Sequence, residues 1–289
     1  MCKIGGIIGI KKGMEDTAFI MMDLMSHEMS YGNSNGLGYV GVTRDGVMWG
    51  EKWVTNKQAF ARPVPEKPKE YLSFGSINPE EALKNPMSLL FHTRARTTGP
   101  IDAFNAHPFF NQKLAPTCAI IHNGMIYNHE DLTKKIFSEC DSEVILHEYQ
   151  KAGVAKDPEN IKVLGQKLEG WYAVGAMTKL TDGTIVVDYF TDGTSLSIAR
   201  TDIGTVLCTA PYIIKGVFET FDGIKIHSME SVKADTMVRL NPSTGEVICT
   251  KKFDSVQPRV YSVGRGAKVL DFATDKEWEE WMEKNFIMM

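Results

Sequence analysis

The chain has 289 residues, 43% apolar and 24% charged, an ordinary globular composition with room for one large core or two modest ones. Its 32 basic and 36 acidic side chains give a formal charge of -4. Together with the lack of any Lys/Arg run, this excludes a nucleic-acid footprint, and no apolar run approaches the roughly 18 residues that span a bilayer.

Five scattered cysteines, Cys2, Cys118, Cys140, Cys208 and Cys249, form no C-x-x-C pair, and no signal peptide heads the chain. A cytoplasmic, reducing location is therefore expected. The seven histidines show no ligand spacing, so neither a metal nor a cofactor is expected.

The first ten residues read as a strand in which Ile4, Ile8 and Ile10 share a face and Gly5, Gly6 and Gly9 allow close backbone approach. Cys2 stands at its start. Read structurally it is a small buried residue. Read chemically, loss of Met1 would give it a free α-amine with a pKa of roughly 8, which can take the proton of its own thiol. Met14, Ala18, Met21, Met22, Met25 and Met29 then recur at helical spacing, a stripe that is packing rather than a cofactor contact. Gly32 to Gly36 end that helix. Leu37–Val42 reads as a strand, and Asp45-Gly46 closes a hairpin onto Val47-Met48-Trp49. From Asn56 to Pro86 the prolines predict an irregular excursion with at most short helices.

Ser88–His92 and Thr117–Ile121 read as buried strands that end in polar clusters. Asn128 is expected to cap a helix over Asp131–Ser138, Asp141 another to about Lys151, and Asp157-Pro158 opens a third. Turn signals at Asp182-Gly183, Asp192-Gly193 and Asp202-Ile203-Gly204 predict a meander from Trp171 to Ala210, and Thr236–Leu240 pairs with Glu246–Thr250. Near the end, Trp278, Trp281 and Met282 share one face of an expected helix over Lys276–Phe286. Helices early and in the middle, with antiparallel strands around them, indicate an α+β layered protein.

Four polar clusters follow Cys2: His92-Thr93-Arg94 with Thr97 and Gly99, Asn105-Ala106-His107-Pro108, His122-Asn123-Gly124 with Asn128, and Asp141-Ser142-Glu143. Each has an ordinary reading, with Arg94 as a surface ion-pair partner, Asn123-Gly124 as a turn and Asp141 as an N-cap. Together they supply the groups that hydrolysis of an amino acid's side-chain amide requires. A guanidinium can grip an α-carboxylate, an aspartate can pair with an α-ammonium, and an amide plus a backbone N–H can meet a developing oxyanion.

In order and spacing this set resembles the glutaminase domain of class II glutamine amidotransferases, within the N-terminal-nucleophile hydrolases. The resemblance covers about residues 2–255 and implies a four-layer αββα sandwich, leaving 256–289 as a C-terminal extension. It implies Cys2 as nucleophile, Asn123 and Gly124 as the oxyanion hole, Arg94 on the glutamine carboxylate with Thr97 and Gly99 lining the same pocket, and Asp141 on the α-amine. His107 reads as loop structure rather than as an acid or base. One departure is that Tyr31-Gly32 stands where the family usually has Arg-Gly.

No pyrophosphatase loop, phosphoribosyl-binding acidic run, Walker loop or Rossmann fingerprint accompanies these motifs. The expectation is a stand-alone subunit that hydrolyses L-glutamine through a Cys2 γ-glutamyl thioester and passes ammonia to a separate synthase. Two other readings stay open: an amidohydrolase for a different γ-glutamyl amide, and a catalytically silent scaffold or regulatory protein.

Overall fold

The computed structural model describes residues 2–29, 35–54, 70–95, 100–132, 138–221 and 223–256. Tyr31, Thr97, Gly99 and the expected C-terminal helix lie outside them.

One sheet has eight antiparallel strands. β1 (Lys3–Ile8) lies at its centre, between β11 (Thr205–Cys208) and β5 (Pro86–Arg94). Beyond β5 come β2 (Gly36–Thr43), β3 (Met48–Trp53) and β4 (Tyr71–Phe74); beyond β11 come β10 (Ser197–Thr201) and β12 (Ile226–Ser231). The second sheet runs from β6 (Phe109–Phe110) through β7 (Cys118–Ile126), β8 (Gly170–Lys179), β9 (Ile185–Thr191) and β13 (Thr236–Leu240) to β14 (Val247–Lys252).

Three apolar clusters make four layers of this. One packs α1 (Glu15–Met29) and α6 (Pro211–Glu219) on the eight-stranded sheet. Another fills the space between the sheets, with Ile4, Leu90, Ile121, Ala173 and Tyr189 at its heart. The third packs α4 (Ser142–Ala152) and α5 (Ile161–Gly165) on the six-stranded sheet. This is the αββα sandwich.

The methionine stripe of α1 is buried as its spacing requires. Ile10 does not follow Ile4 and Ile8 into the inter-sheet core. β1 stops at Ile8, Gly9 takes φ +67°, and the chain turns so that Ile10 joins Ile7 under α1. The meander is likewise split. β8 and β9 form a hairpin in one sheet, but β10 and β11 belong to the other. The turn between them is locked by Asp192, whose carboxylate accepts from the N–H groups of Tyr172 and Thr194 at 3.0 Å each. Within the excursion after Asn56, β4 pairs with β3 because Tyr71 reaches the Glu51 carboxylate, a strand that four residues between turns do not advertise.

On the outer face of the six-stranded sheet Arg239 forms a two-pronged ion pair with Asp188 (2.7 and 2.8 Å), its registered neighbour. Tyr149 of α4 donates to the same carboxylate at 2.5 Å. Among the described residues no helix is long and apolar enough to cross a membrane, and no cluster of three or more His, Cys, Asp or Glu side chains could hold a metal ion.

Candidate active site

Cys2 leads directly into β1, whose register sets Lys3 opposite Thr93 and Ile4 opposite His92. That pairing brings Cys2 to the end of β5, where its Sγ donates to the Ala95 carbonyl at 3.2 Å. Partial burial pushes the thiol pKa up. The hydrogen bond to Ala95 and the charge of Arg94 pull it down, and the charge of Asp141 pushes it up. The contact with Ala95 sets Cys2 beside the strand end that carries Arg94.

Arg94, the last residue of β5, is buried, and its Nη1 donates to the Pro100 carbonyl at 3.0 Å. Asp141 stands immediately before α4 but does not cap it. Its carboxylate accepts instead from the N–H of Ile126 at 2.7 Å, so the end of β7 holds it. Asn128 does not cap through its side chain either. It clamps the chain before β8, donating to Lys167 O at 2.8 Å and accepting from Glu169 N at 3.1 Å, while α3 (His129–Leu132) follows directly.

Asn123 and Gly124 lie inside β7 rather than in a turn beyond it, paired with Ala173 and Tyr172. Asn123 is buried, and its Oδ1 has no hydrogen-bond partner among the described residues. Gly124 has φ +149°, a backbone state reserved for glycine. A Cβ there would lie 2.6 Å from His122 Nε2 and closer still to the Trp171 carbonyl oxygen.

A hydrogen-bond chain ties the two sheets beneath the site. His92 Nε2 donates to the His122 carbonyl at 2.9 Å, which assigns the proton to that nitrogen, and His122 Nδ1 meets Ser142 Oγ at 2.8 Å. His107 stacks on His92 with ring centroids 3.8 Å apart. Burial holds His92 and His107 well below the usual histidine range and takes His122 down to about 4, so all three are neutral at pH 7. Within its loop the His107 ring lies against His92 and Phe109.

One residue near the site escaped sequence reasoning. Lys52 on β3 is buried, with Nζ 4.7 Å from the centre of the Phe109 ring, and donates to the carbonyls of Phe104 (3.2 Å) and Ala106 (2.7 Å). Burial takes its pKa down to about 7. An alternating strand pattern gives no sign that two adjacent charged residues, Glu51 and Lys52, are both buried.

Residues 92–207 match the glutamine amidotransferase domain family. The likeness to a glutamine amidotransferase domain thus falls on this stretch of the chain. Glutamine–fructose-6-phosphate aminotransferases align with it: that of Bordetella pertussis is 33% identical over 97 residues, 30% of this chain and 16% of the relative, and that of Sulfurisphaera tokodaii 39% identical over 99 residues, with the same two shares. The Helicobacter pylori enzyme is 24% identical over 251 residues, 83% of this chain and 38% of its own length.

Two solved structures share the fold. Bacillus subtilis glutamine phosphoribosylpyrophosphate amidotransferase, complexed with ADP and GMP, matches with TM-score 0.59 and 17% identity over 88% of this chain and 49% of that one. A structure described as the allosteric regulatory enzyme of purine biosynthesis matches with TM-score 0.61 and 20% identity, over 89% and 50%. The chain thus spans about half the length of these structures and less than two fifths of these curated relatives. The amidotransferase domain match contains Arg94, Asn123, Gly124 and Asp141, and Cys2 precedes it.

Proposed function

We propose that the chain is a glutaminase subunit. Mature Cys2 attacks the side-chain amide of L-glutamine, and the ammonia released passes to a separate synthase. The observation that carries this reading is the geometry around the thiol: Cys2 Sγ donates to the Ala95 carbonyl directly after Arg94, and the Asp141 carboxylate is held at the end of β7. A cation and an anion on one nucleophile suit the α-carboxylate and α-ammonium of one amino acid.

In the proposed sequence Sγ bonds to the amide carbon while its proton passes to the α-amine of Cys2. The carbonyl oxygen becomes an oxyanion facing the Asn123 amide and the Gly124 N–H, a role in which one donor is worth about 100- to 1,000-fold in rate. The C–N bond then breaks, the amine's proton leaves with ammonia, and water hydrolyses the γ-glutamyl thioester to glutamate, restoring the thiol. The names of these relatives pair glutamine with a second substrate, fructose-6-phosphate or phosphoribosylpyrophosphate, which supports an ammonia-using partner.

The test joins three measurements: intact mass of active protein, acid-quenched trapping of a glutamine-derived adduct, and glutamate release with and without each synthase encoded nearby. Loss of one methionine, an adduct absent in Cys2→Ala, and stimulation by one synthase are expected. Full activity with Met1 retained would refute the mechanism. High turnover unaffected by every synthase would refute the subunit role.

A further inference from the structure

The segment from Pro100 to His107 belongs to no strand, yet both charged ends of the proposed glutamine clamp lean on it. At its start the Pro100 carbonyl receives Arg94 Nη1 at 3.0 Å. In its middle Asn105, itself held by Asp102 through two 2.9 Å bonds, accepts the N–H of Glu139 on Oδ1 at 2.9 Å. Glu139 lies two residues before Asp141. The same short stretch is held again by Glu143, whose carboxylate accepts the Ser138 N–H at 2.7 Å. Whatever fixes the Pro100–His107 segment therefore bears on the distance between the Arg94 guanidinium and the Asp141 carboxylate.

Lys52 is placed to do that. Its ammonium donates to Phe104 O and Ala106 O, the carbonyls on either side of Asn105, and so sets the direction in which the Asn105 side chain leaves the backbone. The loop lies close against the strands at this point. Gly38, the registered partner of Lys52, has the His107 carbonyl within the space that a Cβ would fill. Asn105, Ala106 and Lys52 are all buried, so water does not compete for the bond to Ala106, and a lost donor leaves that carbonyl bare in the interior.

We propose that Lys52 is a positioning residue for amino-acid recognition, which holds Arg94 and Asp141 at the spacing of one substrate through the loop it pins. This rests on the glutaminase reading. Because Lys52 acts through Asn105 and touches neither substrate nor Cys2, its loss should weaken binding of molecules with an α-amino acid end and leave the intrinsic reactivity of the thiol alone.

The experiment uses full-length protein with Met1 removed, verified by mass, as wild type, Lys52→Met, Lys52→Arg and Lys52→Gln. Each is treated with iodoacetamide, which needs no clamp, and with a glutamine-analogue diazoketone, which does; glutamine KM and kcat are measured in parallel. Lys52→Met should raise KM and the half-saturating diazoketone concentration on the order of 10- to 100-fold, the scale of a lost charge-assisted bond. Its iodoacetamide rate should stay within about threefold, kcat should move less than KM, and Lys52→Arg should restore most of the loss. If Lys52→Met does not fold, Lys52→Gln, which keeps one donor, carries the same comparison.

Saturable diazoketone labelling that is equal in wild type and variant overturns the Lys52 role alone. So does a parallel fall of both labelling rates, which marks general disorder of the site. Wild-type protein that iodoacetamide modifies but the diazoketone never labels saturably overturns the glutaminase reading, and the Lys52 role with it.

Discussion

Gly124→Ala is the sharpest probe of the proposed oxyanion corner. The added methyl would meet His122 Nε2 at 2.6 Å and lie closer still to the Trp171 carbonyl, and the φ of +149° excludes an ordinary L-residue conformation. Trp171 O belongs to β8, paired with β7 from Cys118 to Ile126, so the clash cannot be relieved by turning a side chain. Backbone strain of about 1 to 3 kcal/mol and overpacking of about 1 to 3 kcal/mol together predict a loss of stability on the order of 2 to 6 kcal/mol. In surviving folded protein the strands must part, and a misplacement of about 1 Å at a reacting centre costs roughly 100-fold in rate. Urea unfolding and glutamine kcat should be measured on the same preparation, with iodoacetamide labelling of Cys2 as a control for the nucleophile. A variant with wild-type stability and kcat within threefold would refute both the strain argument and the corner's catalytic role.

Other outcomes follow from the same geometry. Arg94→Ala should raise glutamine KM by an amount equivalent to about 2 to 5 kcal/mol, by analogy with truncated buried pairs; Arg94→Lys should recover only part, because an ammonium lacks the planar fork. Unchanged kinetics would remove Arg94 from the carboxylate. Cys2→Ser should be far slower than wild type in glutamate release, since an alcohol is seldom ionised. Asp188→Asn strips half of a fully buried ion pair and should cost about 3 to 5 kcal/mol in urea unfolding, with KM unaltered in the folded fraction. Lys52 titrates near 7 when folded but near 10.5 when unfolded, because burial outweighs the attraction of Cys140, Glu143 and Asp102, with Arg94 adding repulsion. The unfolded chain then binds more protons between those values. Wild-type stability relative to Lys52→Met should climb from pH 7 to pH 10, by at most about 1.4 kcal/mol per pH unit; a flat difference would contradict the buried charge.

The candidate residues stand out in the sequence because polar clusters interrupt the apolar runs that become β5 and β7. The helical stripe of α1 and the hairpin of β13 and β14 were legible for the same local reason. What escaped depends on contacts far apart in the chain. Asn128 and Asp141 look like helix caps because Asx residues before helices usually are, yet both spend their side chains on distant backbone, that of β7 for Asp141 and that of the segment before β8 for Asn128. The turn at Asp192-Gly193 has hairpin chemistry but joins two sheets, a choice made by the apolar clusters on either side. The inward turn of Lys52 follows from the register of β3 against β2, which no single strand encodes.

The bond from His92 to the His122 carbonyl spans the gap between sheets, so Cys2 and the Asn123-Gly124 corner belong to different leaves of the sandwich. Their separation is then gauged by the apolar filling between those leaves, Ile4, Leu90, Ile121, Ala173 and Tyr189 among it. A methylene gained or lost there works as a shim under an optical mount: it touches no reacting group, yet it changes how the two halves are aligned. On the glutaminase reading, turnover can accordingly drift through oily substitutions while every polar motif stays intact, and two chains with the same motifs need not share the same rate.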